Sequence, residues 1–387
     1  MNVQIFGEPS GYLDFARLGP LSHAVAAVLA ESARRRVGDM PLAWFEEQAA
    51  RTRSAAARLL RAAEHEVAFL SSTSHGLFAA AAALPGEGVV LLPRGEFPAN
   101  VYPWLRFEGR GGLRVRWIDE ARLTPQVLAE HLDASVRALA VSAVDALTGY
   151  PAPLGALKEV LGPGRVLVVD AIQGLGVVPL EVEAADVLVC GGQKWLRAGW
   201  GAALLLARDR VAGLMAPGLG GWSGVEDPLA GPAPRPPLAG AAAHTMTNPD
   251  WSAVAALGVA IELVLEAGVA EIGRRTADRL GELLDTARAA GARVLLDGPA
   301  GAGGPAPPGA GRGAGHGAGG GTAEWSGIGS FTMPGRDPAA VHAALAAAGL
   351  TTTLRGEWIR LSPHATTSGE AVQRLAAALH PPRKESS

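Results

Sequence analysis

Two apolar runs in this chain end in residues able to do chemistry. The first, VLVVDAIQGLG over residues 166–176, closes on Asp170 and continues to Gln173. In open α/β sheets the carboxyl ends of strands face the ligand crevice, where a carboxylate can sit under a cationic heterocycle. The second, VLVCGGQKWLRAGWGAALLL over residues 187–206, leads into Gly191, Gly192, Gln193, Lys194 and Trp195. A lysine between glycines and an apolar Trp-Leu pair is placed for partial burial, which lowers an ammonium pKa and frees a nucleophilic amine. A third element is Ser71-Ser72-Thr73-Ser74-His75-Gly76 before an Ala-rich run. Small polar residues at a helix N-terminus offer hydroxyls, free N–H groups and the positive end of the helix dipole, a setting for phosphate. Each element alone also has a plainer reading: a turn-capping Asp170, a snorkelling Lys194, an ordinary N-cap.

The elements that must position these residues read as an alternation of short apolar strands and helices. Residues 23–63 are helical in pattern, with a break between Gly38 and Pro41. Apolar runs at Val67–Leu70, Val89–Leu92, Leu113–Ile118, Ala138–Val141, Val166–Val169, Val187–Val189 and Ala202–Leu206 lie between turn signals or helical stretches. This predicts an α/β layer with a mainly parallel central sheet. From Trp251 to about Ala290 the spacing is helical, and residues 298–322, almost all Gly, Ala and Pro, read as a flexible insertion. The tail returns to strand and helix over Gly329–Met333, Pro338–Ala348, Trp358–Leu361 and Gly369–Leu379, a smaller α+β domain.

Composition removes several classes of function. A chain of 387 residues, 48% of them hydrophobic, can build one large core or two domains. A net charge of −3 gives no field that would draw it to nucleic acid or an anionic membrane. Its one cysteine, Cys190, excludes an internal disulfide framework and points to the reducing cytoplasm. The opening MNVQIFGEPSGYLDF lacks the basic-then-apolar pattern of a signal peptide, and no apolar stretch suits a membrane span. No metal site is expected. Neither a G-x-x-x-x-G-K-[ST] loop nor a G-x-G-x-x-G turn after a strand is present, so a nucleotide is not the evident owner of a phosphate.

A phosphate cradle, an acid for a pyridine nitrogen and an amine for an aldehyde, with Asp170 preceding Lys194 by 24 positions, are together what pyridoxal phosphate (PLP) requires of a protein. With these pieces, and VVDAIQGLG and GGQKWL above all, the chain resembles the class V aminotransferase family of fold-type I PLP enzymes. The family includes cysteine desulfurases, kynureninase and isopenicillin N epimerase-like proteins. The likeness runs from YLDFARLGPLS to IRLSPHATTSGEAVQRL. It implies a large PLP-binding domain over residues 15–255 and a small one from 1–14 with 256–387.

The resemblance places the cofactor aldehyde on Lys194, its pyridinium partner at Asp170, a hydrogen bond to its phenolic oxygen at Gln173, and phosphate contacts at Thr73, Ser74 and Gln193. Phe97, in EFPANVYPW, is the candidate to stack on the cofactor face. Asp145, in VSAVDALTG, stands where the family often has an amide near the cofactor. Arg360 matches the arginine that grips the substrate α-carboxylate, with Arg355 as an assistant and Arg17 as a reader of a second acidic group. The resemblance also implies a homodimer with shared active sites. The family's Gly-Thr pair, given from the partner subunit to the phosphate, is absent from HTMTNPDW, where Thr247 or Asn248 would substitute. A desulfurase needs a mobile thiol in its C-terminal domain, and none is present, so persulfide-forming chemistry is not expected. Transamination at Cα needs no further group and is the leading expectation. A C–S β-lyase, a kynureninase-like hydrolase and a non-catalytic binding protein remain as alternatives.

Overall fold

The computed structural model describes residues 7–38, 41–120, 122–295 and 326–379. The Gly/Ala/Pro-rich insertion expected at 298–322 lies outside them.

Seven strands form the central sheet: β1 (Val67–Leu70), β2 (Val89–Pro93), β3 (Arg114–Ile118), β4 (Val136–Ser142), β5 (Val166–Asp170), β6 (Val187–Gly191) and β7 (Ala203–Ala207). Their order is β1-β7-β6-β5-β4-β2-β3. The four pairings among β2 to β6 are parallel, and β7 runs antiparallel to both β6 and β1. Helices cover both faces, which is why the inner strands are mostly apolar, with Arg137, Ser142 and Asp170 as the polar exceptions in β4 and β5. The period of two is still visible in β5. Leu167 and Val169 face one core, shared with the helices α1 (His23–Val37), α2 (Leu42–Leu60) and α7 (Trp251–Ala267). Val166 and Val168 face the other, with α3 (Thr73–Ala82) and α4 (Pro98–Glu108). Two further helices, α5 (Pro125–His131) and α6 (Leu154–Leu161), complete the crossovers.

The one helix expected from Trp251 to about Ala290 is two. α8 (Val269–Ala289) turns away from α7 by 81° at Gly268, whose φ of 78° suits glycine and strains other residues. A periodic pattern cannot announce such a corner, because both helices keep their apolar faces across it. Beyond it lies a four-stranded antiparallel sheet of β8 (Arg293–Val294), β9 (Gly329–Thr332), β10 (Thr353–Arg355) and β11 (Trp358–Leu361), in the order β10-β11-β9-β8. With α9 (Pro338–Ala347) and α10 (Glu370–Leu379) it closes a separate core around Leu13, Leu284, Phe331 and Leu375. Since α7 is buried in the large core, we propose that the two units meet at Gly268 and not at 255, which would cut α7. Leu13 belongs to the small core and Phe15 to the large one.

The segment from residue 7 to Gly19 ties the two units together. Tyr12 bridges Thr351, Asp14 bridges Ser362, and Gly19 donates from its N–H to the carbonyl of Gln193 at 2.8 Å. No single helix among the described residues is long and apolar enough to cross a membrane.

Candidate active site

The parallel strands deliver their carboxyl ends to one edge. β5 ends in Asp170, which pairs in register with Ser142 at the end of β4, while β6 ends in Gly191. Asp170 is 2% exposed; its Oδ1 accepts from the Ile172 N–H at 3.0 Å, and its other oxygen has no partner among the described residues. Burial pushes its pKa up to about 6, against the pull of the Ile172 N–H and the charge of Lys194. Lys194 is largely buried in the turn after β6. Loss of solvent pushes its amine down to about 8; Asp170 opposes the shift, and Arg360 and Arg355 add to it. The lysine is held from outside its own loop. A Cβ on Gly19 would stand 2.1 Å from the Lys194 carbonyl oxygen, so only glycine lets the N-terminal segment lie this close. The Lys194 Nζ stands 5.5 Å from the centre of the Phe97 ring, which caps the start of α4 and is 40% exposed.

Thr73 and Ser74 are the first two residues of α3, so their N–H groups precede the first intrahelical bond. Ser72 caps the helix by accepting from His75 N–H at 3.1 Å. The Thr73 hydroxyl accepts from the Gly191 N–H at 2.9 Å. A Cβ at Gly191 would lie 2.3 Å from Gln193 Oε1 and 2.8 Å from Thr73 Oγ1, so two of the three expected phosphate contacts meet over one glycine. Gln173, 3% exposed, donates to the Ala16 carbonyl and accepts from Trp195 Nε1, each at 2.9 Å. One amide hydrogen remains to it.

Arg360 lies on the interior strand β11, 2% exposed. It donates to the Ala146 carbonyl at 2.9 Å and to Asp14 Oδ1 at 3.2 Å, and its buried Nε has no partner. Arg17 and Arg355 are exposed, and neither side chain has a hydrogen bond or ion pair among the described residues. Two candidates stand apart. Asp145 spends its Oδ1 on its own turn, accepting from the Leu147 N–H, the Thr148 N–H and the Thr148 hydroxyl. Thr247 is exposed and accepts from Trp222 Nε1 at 3.2 Å; no described contact links it to Lys194 or α3.

Two acids escaped the sequence reading. Glu96, in the loop between β2 and α4, accepts from the Ser142 N–H at 2.6 Å, the Ser142 hydroxyl at 2.5 Å and the Asn100 amide at 3.0 Å. The residue keeps some exposed surface, but its carboxyl is desolvated and is pushed up to about 7, with repulsion from Asp170 adding to the effect of burial. Asp14 is the counter-ion of Arg360 and also accepts from the Thr353 hydroxyl at 2.7 Å. The one available signal for Glu96 is its place one residue before Phe97, after an apolar strand.

The donor set fits PLP. An aldehyde at Lys194 Nζ, a protonated ring nitrogen above the free oxygen of Asp170, and a phosphate at the start of α3 would each meet a complementary group. Among the described residues no cluster of three or more His, Cys, Asp or Glu side chains could hold a metal.

Comparison with known proteins points the same way. The aminotransferase class-V family model matches residues 31–299. A kynureninase of Deinococcus radiodurans is 28% identical over 270 residues, 65% of this chain and 65% of the relative. A probable cysteine desulfurase of Xylella fastidiosa is 28% identical over 58% of each chain. These alignments span less than two thirds of the relatives' length. Among solved structures, the apo cysteine desulfurase of Thermococcus onnurineus superposes with a TM-score of 0.78 at 19% identity, over 95% of this chain and 93% of that one. The cystine C–S lyase C-DES, in complex with cysteine persulfide, gives 0.80 at 19% identity, over 95% and 97%. At such identities the likeness establishes the fold.

Proposed function

Because the chain belongs to the aminotransferase class-V family, we propose that it is a PLP-dependent enzyme acting at Cα of an amino acid, with transamination as its reaction. The observation that carries this reading is the pairing of Lys194 and Asp170, each buried enough to shift its ionisation and close enough to act on the other. Bound here, PLP supplies the electron sink that weakens the bonds to Cα. The protein does the rest. Asp170 keeps a ring nitrogen protonated. The N–H groups of Thr73 and Ser74, the Thr73 hydroxyl and the Gln193 amide hold the phosphate, and the spare hydrogen of Gln173 meets the phenolic oxygen. Phe97 covers the ring and excludes water. Arg360 orients the α-carboxylate, and Lys194 Nζ, with a pKa near working pH, takes and returns the Cα proton. Asp145 is assigned to its turn.

Cys190 does not serve as a sulfur carrier. It is the chain's one cysteine, 2% exposed, and burial pushes its thiol well above the usual range. We propose further a cytoplasmic homodimer, with Thr247 reaching the partner's phosphate site. The support is the absence of disulfide chemistry and the exposure of Trp200 (70%) and Trp222 (51%), large apolar surfaces that a monomer seldom leaves in water.

Borohydride treatment of the yellow protein followed by peptide mapping tests the reading. Label on Lys194 is expected; label on Lys158 alone, or none, would overturn it. Assays of keto acid against pyruvate release over a panel of amino acids and thioether amino acids then separate transamination from β-elimination.

A further inference from the structure

We infer that the substrate carries a second carboxylate, at the far end of its side chain, bound by Arg17 and Arg355. The inference rests on the enzymatic reading above, in which Arg360 takes the α-carboxylate, and names the substrate class for that site.

The geometry begins with the hairpin of β10 and β11. Thr353 lies opposite Arg360, and both bond Asp14 Oδ1, so both side chains leave the same face of the sheet. Arg355 is two residues along β10 from Thr353. It therefore leaves that same face, as the diagonal neighbour of Arg360, a position about 7–8 Å away in such sheets. Arg17 comes from a different part of the chain. Its N–H donates to the carbonyl of Asp14, which places it on the turn that starts at the counter-ion of Arg360. Arg17 and Arg355 each act on the charge of Arg360, and Arg355 also on Lys194.

Arg355, beside Arg360 on the sheet, and Arg17, three residues after Asp14, thus add two more arginines to the bonded pair of Arg360 and Asp14. The two others have no acid of their own among the described residues. Like charges held together without an anion repel one another, and on a free surface long arginine side chains would disperse. A second observation points to a ligand from the buried side. Arg360 is 2% exposed, yet its Nε donates to nothing, an arrangement that an incoming acceptor completes. One carboxylate satisfies Arg360, whose terminal nitrogens are already held by Ala146 and Asp14. It leaves the exposed pair unanswered. A planar fork on each of Arg17 and Arg355 suits a carboxylate at the outer end of the same molecule.

The test is calorimetric titration of the PLP-loaded protein at fixed ionic strength with glutarate and adipate, and with pentanoate and hexanoate as single-carboxylate partners of equal length. The diacids should bind at least about tenfold tighter, the yield of one charge-assisted contact. The variant with Arg17→Gln and Arg355→Gln should abolish the preference, binding diacids and monoacids of equal length alike. Arg17→Lys with Arg355→Lys should recover part of the preference, showing that charge and not fold was lost. Equal affinity of diacids and monoacids in the wild type, or a preference that survives the double Gln variant, overturns the inference. A protein labelled on Lys194 by borohydride that nevertheless shows no diacid preference refutes the substrate class and leaves the enzymatic reading standing.

Discussion

Asp170, at the end of β5, and Glu96, in the loop after β2, are two desolvated carboxyls on either side of the β4 end, and their different partners separate their roles. Asp170 keeps an oxygen free toward Lys194, while Glu96 is bound on three sides by Ser142 and Asn100. Asp170→Asn should leave the fold and bound cofactor in place yet lower kcat by about a hundredfold or more, because an amide cannot keep a ring nitrogen protonated. Turnover near wild type, measured on protein with full cofactor absorbance, would place the acid elsewhere. Glu96→Gln speaks to stability. A carboxyl whose folded pKa lies near 7 and whose ordinary value is 4.5 binds its proton more tightly in the folded protein. Its contribution is therefore full below about pH 4.5 and is lost as pH rises through about 7. Melting of the wild-type apoprotein should weaken across that window by about 1–3 kcal/mol from this group, and the Gln variant should lack that decline. An identical pH profile in both proteins would show that Glu96 titrates normally. Asp170, Lys194 and the start of α3 were legible because each stands at a strand or helix end within its own short motif. Glu96 and Asp14 were not, because the groups that define them, Ser142 and Arg360, lie 46 and 346 positions away in the chain.

Among the elements, the apolar strands announced themselves by composition, and the break between α1 and α2 by Gly38 and Pro41. The corner at Gly268 did not, since one glycine within a periodic run reads as a tolerated helix residue. β10 was equally silent. Its three residues are half-buried or exposed, and it becomes a strand by pairing with β11. The N-terminal segment is the element with the largest unforeseen role, since it presses on the loop that carries Lys194. Gly19→Ala should drive a methyl into the Lys194 carbonyl and the Arg197 side chain, costing about 1–3 kcal/mol and weakening cofactor retention. A melting temperature and cofactor occupancy equal to wild type would mean that the segment can lift away freely.

At the scale of the whole molecule, the α/β class and the mainly parallel central sheet were legible from the order of strands and helices. The proposed homodimer rests on the family resemblance, because a surface shared with a second copy leaves no periodicity in one sequence. The exposed ring of Trp200, six residues beyond Lys194, is the side chain we expect at that surface. Trp200→Glu should convert a dimer into a monomer in sedimentation at micromolar concentration, and cofactor should dissociate more readily from the monomer. A variant that remains dimeric would move the interface to another face.

The linkage of Asp14 to Arg360 also has a temporal side. A ribosome releases Leu13, Asp14 and Phe15 long before their partners Thr351, Arg360 and Ser362, with 346 positions between Asp14 and Arg360. Large domains fold as units while synthesis proceeds, so the seven-stranded sheet can be complete while the segment meant to brace Lys194 still waits for β11. Nascent chains stalled before Arg360 would then contain Lys194 and Asp170 in folded form and hold PLP poorly. Retention of the cofactor would arise late and abruptly, once Arg360 and Ser362 leave the exit tunnel.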